Sequence, residues 1–150
     1  MRLRLINGPN LNLLGIREPD VYGSSSLSSI ESKLIDFAKK NGANLDCFQT
    51  NSEGDLVEEI HNSINQVDGI IINAGAYTHT SVALRDALLG AGIPFVEVHM
   101  SNVYSREKFR HNSFIAEIAV GVICGFGFDS YKLAIKGMLN HLREVSREDE

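Results

Sequence analysis

Two titratable residues stand two positions apart in the stretch Phe95-Val-Glu-Val-His99. Side chains at positions i and i+2 of a β-strand point to the same face, so we expect Glu97 and His99 to lie side by side. The Glu97 carboxylate can then accept a hydrogen bond from one ring nitrogen of His99 and leave the other nitrogen free for proton transfer. The pair indicates general acid–base chemistry. The alternative is an exposed polar pair at the end of a strand.

A tyrosine and an arginine follow the first apolar stretch, within the segment 6–23. Pro19 and Gly23 favour a loop that is able to move as a lid. The reference pKa of tyrosine is about 10, so Tyr22 becomes a useful base at neutral pH only beside a cation such as Arg17. In the alternative interpretation, Tyr22 packs its ring on the rim of a cleft and Arg17 is solvated.

Asparagines follow two of the apolar stretches. Their amides can hold hydroxyl groups, or a water molecule, against a developing enolate. Capping a turn is also a common role for asparagine. The residues concerned are Asn10, Asn12 and Asn73, and we expect Asn12 to be the structural one.

Three cationic or titratable side chains complete the candidates. We expect His79 to open a helix, where the positive end favours an anionic or hydroxylated ligand. Arg106 and Arg110 lie one turn apart if their segment is helical, so both could face an acidic ligand. A solvated surface is the alternative for Arg106.

Other chemistries find little support in the sequence. It contains no Gly-x-x-x-x-Gly-Lys phosphate loop, and no Gly-x-Gly-x-x-Gly follows the first strand. A metal site from His79, His99 and Glu97 lacks a close ligand pair such as His-x-x-x-His. Cys47 and Cys124 lie in apolar stretches with no evident base, so we expect buried, reduced and inert thiols. A cytoplasmic location is the corresponding expectation.

The composition limits the class of protein. A chain of 150 residues with 43% hydrophobic residues fits one globular domain. Its net charge of -5 and the lack of a basic stripe argue against a nucleic-acid partner. No apolar run of about 18 residues is present, so no membrane span is predicted.

Strand-like and helix-like patterns alternate along the chain. The strands are predicted at 2–7, 43–49, 68–73, 95–99 and 119–124. One helix is predicted from a capping box at Ser28 to Gly42, two more at 55–64 and 80–89, and a last one from about Tyr131, with a short helical segment at 106–110. This order predicts an α/β fold, a flavodoxin-like three-layer sandwich with a five-stranded parallel sheet. We expect a single catalytic domain over 1–150, with 143–150 as a frayed tail.

Parallel strands of an open sheet end at one edge, and ligands bind outside that edge near the topological switch point. The predicted ends of the first, third and fourth strands are unusually polar. Those of the second and fifth strands look plainer. The sequence therefore places the candidate site where the first, third and fourth strands end.

Five blocks of the sequence, in this order, resemble the type II 3-dehydroquinases. They are 7–15, 17–23, 73–86, 94–102 and 106–111, and the resemblance extends from residue 2 to about residue 140. It implies the dehydration of 3-dehydroquinate to 3-dehydroshikimate in the shikimate pathway, with no cofactor or metal. It also implies a homododecamer in which Asp86 reaches the site of a neighbouring subunit.

The resemblance assigns roles to the reacting groups. Tyr22 would be the base that removes the proton beside the ketone, and Arg17 would hold it as phenolate. His99 would be the general acid that protonates the leaving hydroxyl, with Glu97 orienting its ring. Asn10 would position a water that stabilises the enolate.

The resemblance also assigns the substrate contacts. Asn73, Ser101 and the backbone of Met100 would bind the substrate carboxylate. His79 and Arg110 would hold ring hydroxyls. Met100 stands where leucine or isoleucine is expected in much of the family, and a residue that contributes its amide should tolerate this change.

Three other functions compete with this one. The chain could be a flavodoxin-like signalling or binding module, although a receiver domain needs an acidic cluster after the first strand and this chain has asparagines and a proline there. It could be an FMN carrier. It could also be a hydratase that acts on a different hydroxylated acid with the same residues.

Overall fold

A computed structural model describes residues 1–16, 20 and 25–150 of the chain. Five parallel strands form one sheet in the order β2-β1-β3-β4-β5. The strands are β1 (Arg2–Asn7), β2 (Asn44–Gln49), β3 (Gly69–Asn73), β4 (Phe95–His99) and β5 (Gly121–Cys124). The strand order reverses at β1, as in flavodoxin-like folds, and the predicted fold class is confirmed.

Four helices flank the sheet in the described part of the chain: α1 (Leu27–Lys40), α2 (Glu53–Ser63), α3 (Val82–Ala91) and α4 (Phe128–Glu148). Alternate residues of each strand face opposite layers. Leu3, Leu5 and Ile71 pack with α1 and α4 in one buried cluster, whereas Ile6 and Ile72 pack with α2 and α3 in the other. The result is the expected three-layer sandwich.

The central strands explain why two layers of helix are needed. Every residue of β3 and of β4 is buried. A strand covered on both faces requires a continuous apolar run, and Ile70-Ile-Ile72 supplies one. Truncation of a fully buried isoleucine to alanine at such a site costs about 2–5 kcal/mol of stability.

Serine hydroxyls cap three of the helices. The Ser26 side chain accepts a hydrogen bond from the backbone of Ser29, and Ser52 and Ser81 do the same for α2 and α3. The predicted capping box at Ser28 is therefore wrong by two residues, and Ser28 lies inside the first turn of α1. Only Ser28 has a glutamate three positions later, but Ser26 has the extended backbone and accepts the capping hydrogen bond, so Ser26 is the cap.

The last helix is longer than the sequence predicts, and it runs from Phe128 to Glu148. Residues 143–148, which the sequence analysis expected as part of a frayed tail, are therefore helical in the structure. Leu142 packs against the core, and the Arg143 guanidinium donates to the carbonyl of Asn41 over 2.7 Å. These contacts hold the C-terminal part of the helix against the rest of the protein. Within the described residues, no helix has the length and apolarity that crossing a membrane requires.

The loops that follow β1 and β3 are pinned together at the sheet edge. The Gly8 amide donates to the Asn73 carbonyl over 2.8 Å. A Cβ atom at Gly8 would lie 2.5 Å from the Ala74 carbonyl oxygen, a distance that side chains do not tolerate. Glycine at position 8 thus allows the two polar loops to meet.

Candidate active site

A cleft of about 260 Å³ opens where β1, β3 and β4 end, as the sequence predicts. Its walls come from three loops rather than from the helices. The described residues that line it are Pro9, Asn10, Leu11, Asn73, Gly75, Ala76, His79, His99, Met100, Ser101, Val103, Arg106 and Arg110.

The last residues of β4 provide a buried acid–base pair. His99 Nε2 lies 2.8 Å from Glu97 Oε2, and the two side chains are 8% and 3% exposed. Because a carboxylate oxygen only accepts, Nε2 carries the hydrogen and Nδ1 is the nitrogen left for chemistry. The other oxygen of Glu97 accepts a hydrogen bond from the hydroxyl of Ser113. The expected pairing is present and is buried rather than exposed.

His79 lies beside His99, with ring centroids 6.3 Å apart and ring planes 14° from parallel. It ends a 3₁₀ turn, Gly75–His79, and α3 begins only at Val82. The expectation that His79 opens a helix is therefore wrong, because Ser81 provides the cap and the chain turns before it. His79 Nδ1 is 2.7 Å from the carbonyl oxygen of Asn112, so Nδ1 must be the donor.

Asn10 projects from a turn in an unusual backbone conformation. Its φ of 68° lies in the left-handed region, which asparagine tolerates better than most residues. The Asn51 side-chain oxygen accepts from the Asn10 amide over 3.0 Å and from Gln49 Nε2 over 3.1 Å. Asn51 thus holds the Asn10 backbone from the end of β2. The strand end that looked plain in the sequence supports the cleft.

Asn73 is almost completely buried at the floor of the cleft. Its Nδ2 donates to the Tyr131 hydroxyl over 2.9 Å, and its Oδ1 accepts from the Gly75 amide over 3.2 Å. The Tyr131 hydroxyl in turn donates to Asn7 Oδ1 over 2.7 Å. One N–H of the Asn73 amide is left for a ligand in the cleft.

The segment after β4 forms the other rim. The Met100 side chain is in the core, and its carbonyl accepts from Gly127. Arg106 and Arg110 both line the cleft, but through the 3₁₀ turns Val103–Ser105 and Lys108–Arg110 rather than the expected short helix.

The rim is the most charged part of the cleft. An Arg106 nitrogen lies 3.4 Å from Ser101 Oγ, and Arg110 is ion-paired with Glu107. The hydrogen bond from Arg110 holds the pKa of the Glu107 carboxyl below its usual value. Two arginines therefore line this rim of the cleft.

The other titratable groups bear on stability more than on chemistry. Cys47 and Cys124 are free, and both are half-buried where the sequence analysis expected buried thiols. Burial, with Glu31 and Asp46 nearby, raises the pKa of the Cys47 thiol to about 12, which makes it a poor nucleophile. Among the residues that the structure describes, no three His, Cys, Asp or Glu side chains form a metal-binding group.

Known proteins resemble the chain over nearly its whole length. The family model described as Dehydroquinase class II matches residues 1–139. The chain belongs to the class II dehydroquinase family. A 3-dehydroquinate dehydratase of Prochlorococcus marinus (strain MIT 9211) is 62% identical over 99% of this chain and all of that relative. One from Prochlorococcus marinus (strain NATL1A) is 59% identical over 97% of this chain and all of that relative.

A solved structure agrees with the dehydroquinase assignment. The type II dehydroquinase of Butyrivibrio crossotus superimposes with a TM-score of 0.90 at 42% identity, covering 93% of this chain and 97% of that one. The resemblance of the five sequence blocks to this family is therefore confirmed, together with the fold.

Not every residue expected in a dehydroquinase site lines the cleft. Tyr22 and Arg17 lie outside the described residues. Asp86 is exposed on α3, and it is not among the described residues that line the cleft. The cleft of one chain brings together the other eight expected residues, with Glu97 behind His99: Asn10, Asn73, His79, Glu97, His99, Met100, Ser101 and Arg110. Arg106, for which a solvated surface was the alternative, lines the cleft as well.

Three residues that support the cleft have no signal in the sequence. Ser113 reaches Glu97 across 16 positions, and Asn51 reaches Asn10 across 41. Tyr131 reaches Asn7 across 124 positions and Asn73 across 58. Ser113 could only be identified as a turn residue, and Tyr131 as a core position of the last helix. Long-range hydrogen bonds of this kind follow from the packed fold.

Proposed function

We propose that this protein is a 3-dehydroquinate dehydratase, a hydro-lyase that converts 3-dehydroquinate reversibly to 3-dehydroshikimate in the shikimate pathway. Relatives with that name, 59–62% identical over almost the whole chain, support the activity. The observation that carries the chemistry is the buried Glu97–His99 pair, whose histidine lines the cleft. A β-hydroxy ketone can lose water there through an enolate, with one base, one enolate stabiliser and one acid.

His99 is the proposed general acid. Glu97 holds Nε2–H, so the imidazolium form offers Nδ1–H to the leaving hydroxyl. The C–O bond breaks, the proton joins the hydroxyl to form water, and His99 is left neutral. A general acid of this kind contributes about 10²–10⁴-fold to the rate.

Tyr22 is the proposed base, and Arg17 the group that keeps it as phenolate. Both roles follow from the resemblance, since these residues lie outside the described part of the chain. The phenolate takes the proton from the carbon beside the ketone, and the electron pair moves onto the ketone oxygen. Asn10 is proposed to hold a water against that oxygen, and its backbone is held in place by Asn51.

The remaining cleft residues are proposed to bind the substrate. Asn73 has one free amide hydrogen for the carboxylate, with Ser101 and the Met100 amide beside it. His79 donates through Nδ1 to a carbonyl, so Nε2 is the ring nitrogen left to meet a ring hydroxyl. Arg110 is proposed to hold a second hydroxyl.

We further propose a homododecamer in which Asp86 reaches a neighbouring site. Asp86 is exposed on α3, away from the cleft of its own chain. The same helix exposes Val82 and Leu89 by 57% and 53%, and a partner subunit would cover such apolar side chains. A cytoplasmic location is part of the proposal, and no partner besides the substrate and further copies of the chain is required.

The activity is tested by adding 3-dehydroquinate and following the ultraviolet absorbance of the conjugated product. We expect turnover without an added cofactor or metal. The Tyr22→Phe variant should lose nearly all turnover while it still folds and binds product, because only the ionisable oxygen is removed. Tyr104→Phe is the matched control, since Tyr104 is an exposed tyrosine that does not line the described cleft. A wild-type protein that leaves 3-dehydroquinate unchanged contradicts the proposed function. Full activity of Tyr22→Phe contradicts the assignment of Tyr22 as the base.

A further inference from the structure

We propose that Ser113 is a positioning residue for His99 and acts through Glu97. The inference rests on the proposed function, in which His99 moves a proton. Ser113 is not one of the described residues that line the cleft; with Glu97 and His99 it lines a separate cavity of about 110 Å³. Its effect would be to fix the carboxylate that fixes the imidazole.

The hydrogen bonds of Ser113 determine the direction in which its own hydrogen points. Ser113 Oγ accepts from the backbone amides of Ile115 and Ala116, at 3.2 and 3.0 Å. A hydroxyl has two acceptor lone pairs and one donor hydrogen, so these amides use its acceptor capacity. The remaining hydrogen is donated to Glu97 Oε1. Ser113 is therefore held as a donor to the carboxylate.

Glu97 depends on that donor. Glu97 is buried, and its two carboxylate oxygens are engaged separately by Ser113 and by His99. A buried carboxylate that loses one donor keeps a desolvated oxygen without compensation. Rotation of the carboxylate toward another donor would then move the oxygen that holds His99 Nε2.

The segment that carries Ser113 is itself fixed against the histidines. The Phe114 amide donates to the Thr78 carbonyl over 2.9 Å, and the Arg85 guanidinium donates to the Phe114 carbonyl over 2.8 Å. The carbonyl of Asn112, the residue before Ser113, accepts a hydrogen bond from His79. Two adjacent residues thus hold the two stacked imidazoles from behind, one directly and one through Glu97.

Capping a turn is the simpler role for Ser113, and it makes a different prediction. A cap uses only the acceptor side of the hydroxyl, so any effect of its loss on kcat is the same whether or not Glu97 is present. A positioning role uses the donor side, and its loss matters only while Glu97 is there to be held. A double-mutant cycle separates the two roles.

The experiment measures kcat and KM for wild type, Ser113→Ala, Glu97→Ala and the double variant. We expect Ser113→Ala to lower kcat about 10-fold with KM little changed, as for other groups that orient a functional histidine. In the Glu97→Ala background the same change should alter kcat by no more than about twofold. Ser113→Thr keeps the hydroxyl and should restore most of the kcat.

Ser63→Ala is the matched control for loss of a buried serine. Ser63 is fully buried, and its hydroxyl donates to the Glu59 carbonyl over 2.8 Å at the end of α2, opposite the cleft. We expect its kcat to equal that of wild type. Equal fold-losses of kcat for Ser113→Ala in both backgrounds, or an unchanged kcat in the wild-type background, overturn the proposal.

A crystal structure of Ser113→Ala tests the proposal independently of activity. We expect the Glu97 carboxylate to rotate and the 2.8 Å contact to His99 to lengthen. An unchanged carboxylate and contact overturn the positioning role. An inactive wild-type protein contradicts the proposed function instead, and the crystal structure still decides whether Ser113 orients Glu97.

Discussion

Two buried sets of polar side chains lie under the same edge of the sheet, and they differ in how they end. In the first, the Tyr131 hydroxyl joins Asn7 to Asn73 and thereby ties α4 to β1 and β3. We call it the tyrosine network. In the second, Ser113, Glu97 and His99 form the histidine chain, which links the loop before β5 to the end of β4.

The tyrosine network is neutral, and its hydroxyl has a partner on each side. The histidine chain contains a carboxylate and ends in His99, which lines the cleft. Burying a charge is costly unless it is paired and hydrogen-bonded, so natural proteins rarely do it for stability alone. We infer that the tyrosine network mainly holds three elements together, whereas the histidine chain exists for the reaction.

The largest expected effect is on the histidine chain. In His99→Gln, the amide nitrogen takes the place of Nε2 and can still donate to Glu97, but no proton can be moved. We expect kcat to fall about 10²–10⁴-fold, with a melting temperature close to that of wild type. The measurement is steady-state turnover of 3-dehydroquinate beside thermal unfolding at one protein concentration. If His99→Gln unfolded at a much lower temperature but kept its kcat, the histidine chain would serve stability rather than the reaction.

The sequence predicted half of each set. The spacing of Glu97 and His99 on a strand forces them to one face, and that local rule is enough to pair them. Tyr131 falls in the apolar helical repeat of α4, and so its burial follows from periodicity. The alternation of strands and helices likewise predicted the layers and the edge at which the cleft opens.

The other half of each set depends on contacts between distant segments. Nothing local indicates that Ser113 meets Glu97 or that Tyr131 meets Asn7, because these contacts exist only after the helices pack on the sheet. The start of α3 was misplaced for a related reason. The residues before Ser81 form a 3₁₀ turn whose place depends on the loop 112–114, so helix propensity alone could not find its end.

A smaller effect is expected from the tyrosine network. Tyr131→Phe keeps the ring and removes the hydroxyl that pairs with the buried amides of Asn7 and Asn73. Asn7 Nδ2 already has no hydrogen-bond partner in the described part of the chain. Leaving buried polar groups unpaired costs about 1–3 kcal/mol, so the free energy of unfolding should fall by that amount. We expect kcat to fall far less than in His99→Gln. Urea unfolding and turnover of the two variants check this, with Tyr104→Phe as the exposed control. Loss of turnover as large as in His99→Gln would show that the network acts on the reaction through Asn73.

The smallest expected effect appears only at high pH. Burial raises the pKa of the Tyr131 hydroxyl well above its ordinary value, so the folded protein keeps this proton while the unfolded chain loses it above about pH 10. Below that pH both the folded and the unfolded state hold the proton, so Tyr131 adds no pH dependence to the free energy of unfolding. Above it, the stability of wild type should fall by about 1.4 kcal/mol per pH unit more steeply than that of Tyr131→Phe, which has no hydroxyl to titrate. Urea unfolding between pH 8 and 11, at a fixed protein concentration, measures the difference. The gap between the two proteins should be widest at pH 8 and shrink as the pH rises, and a constant gap would mean that the hydroxyl is not the buried, protonated centre of the tyrosine network.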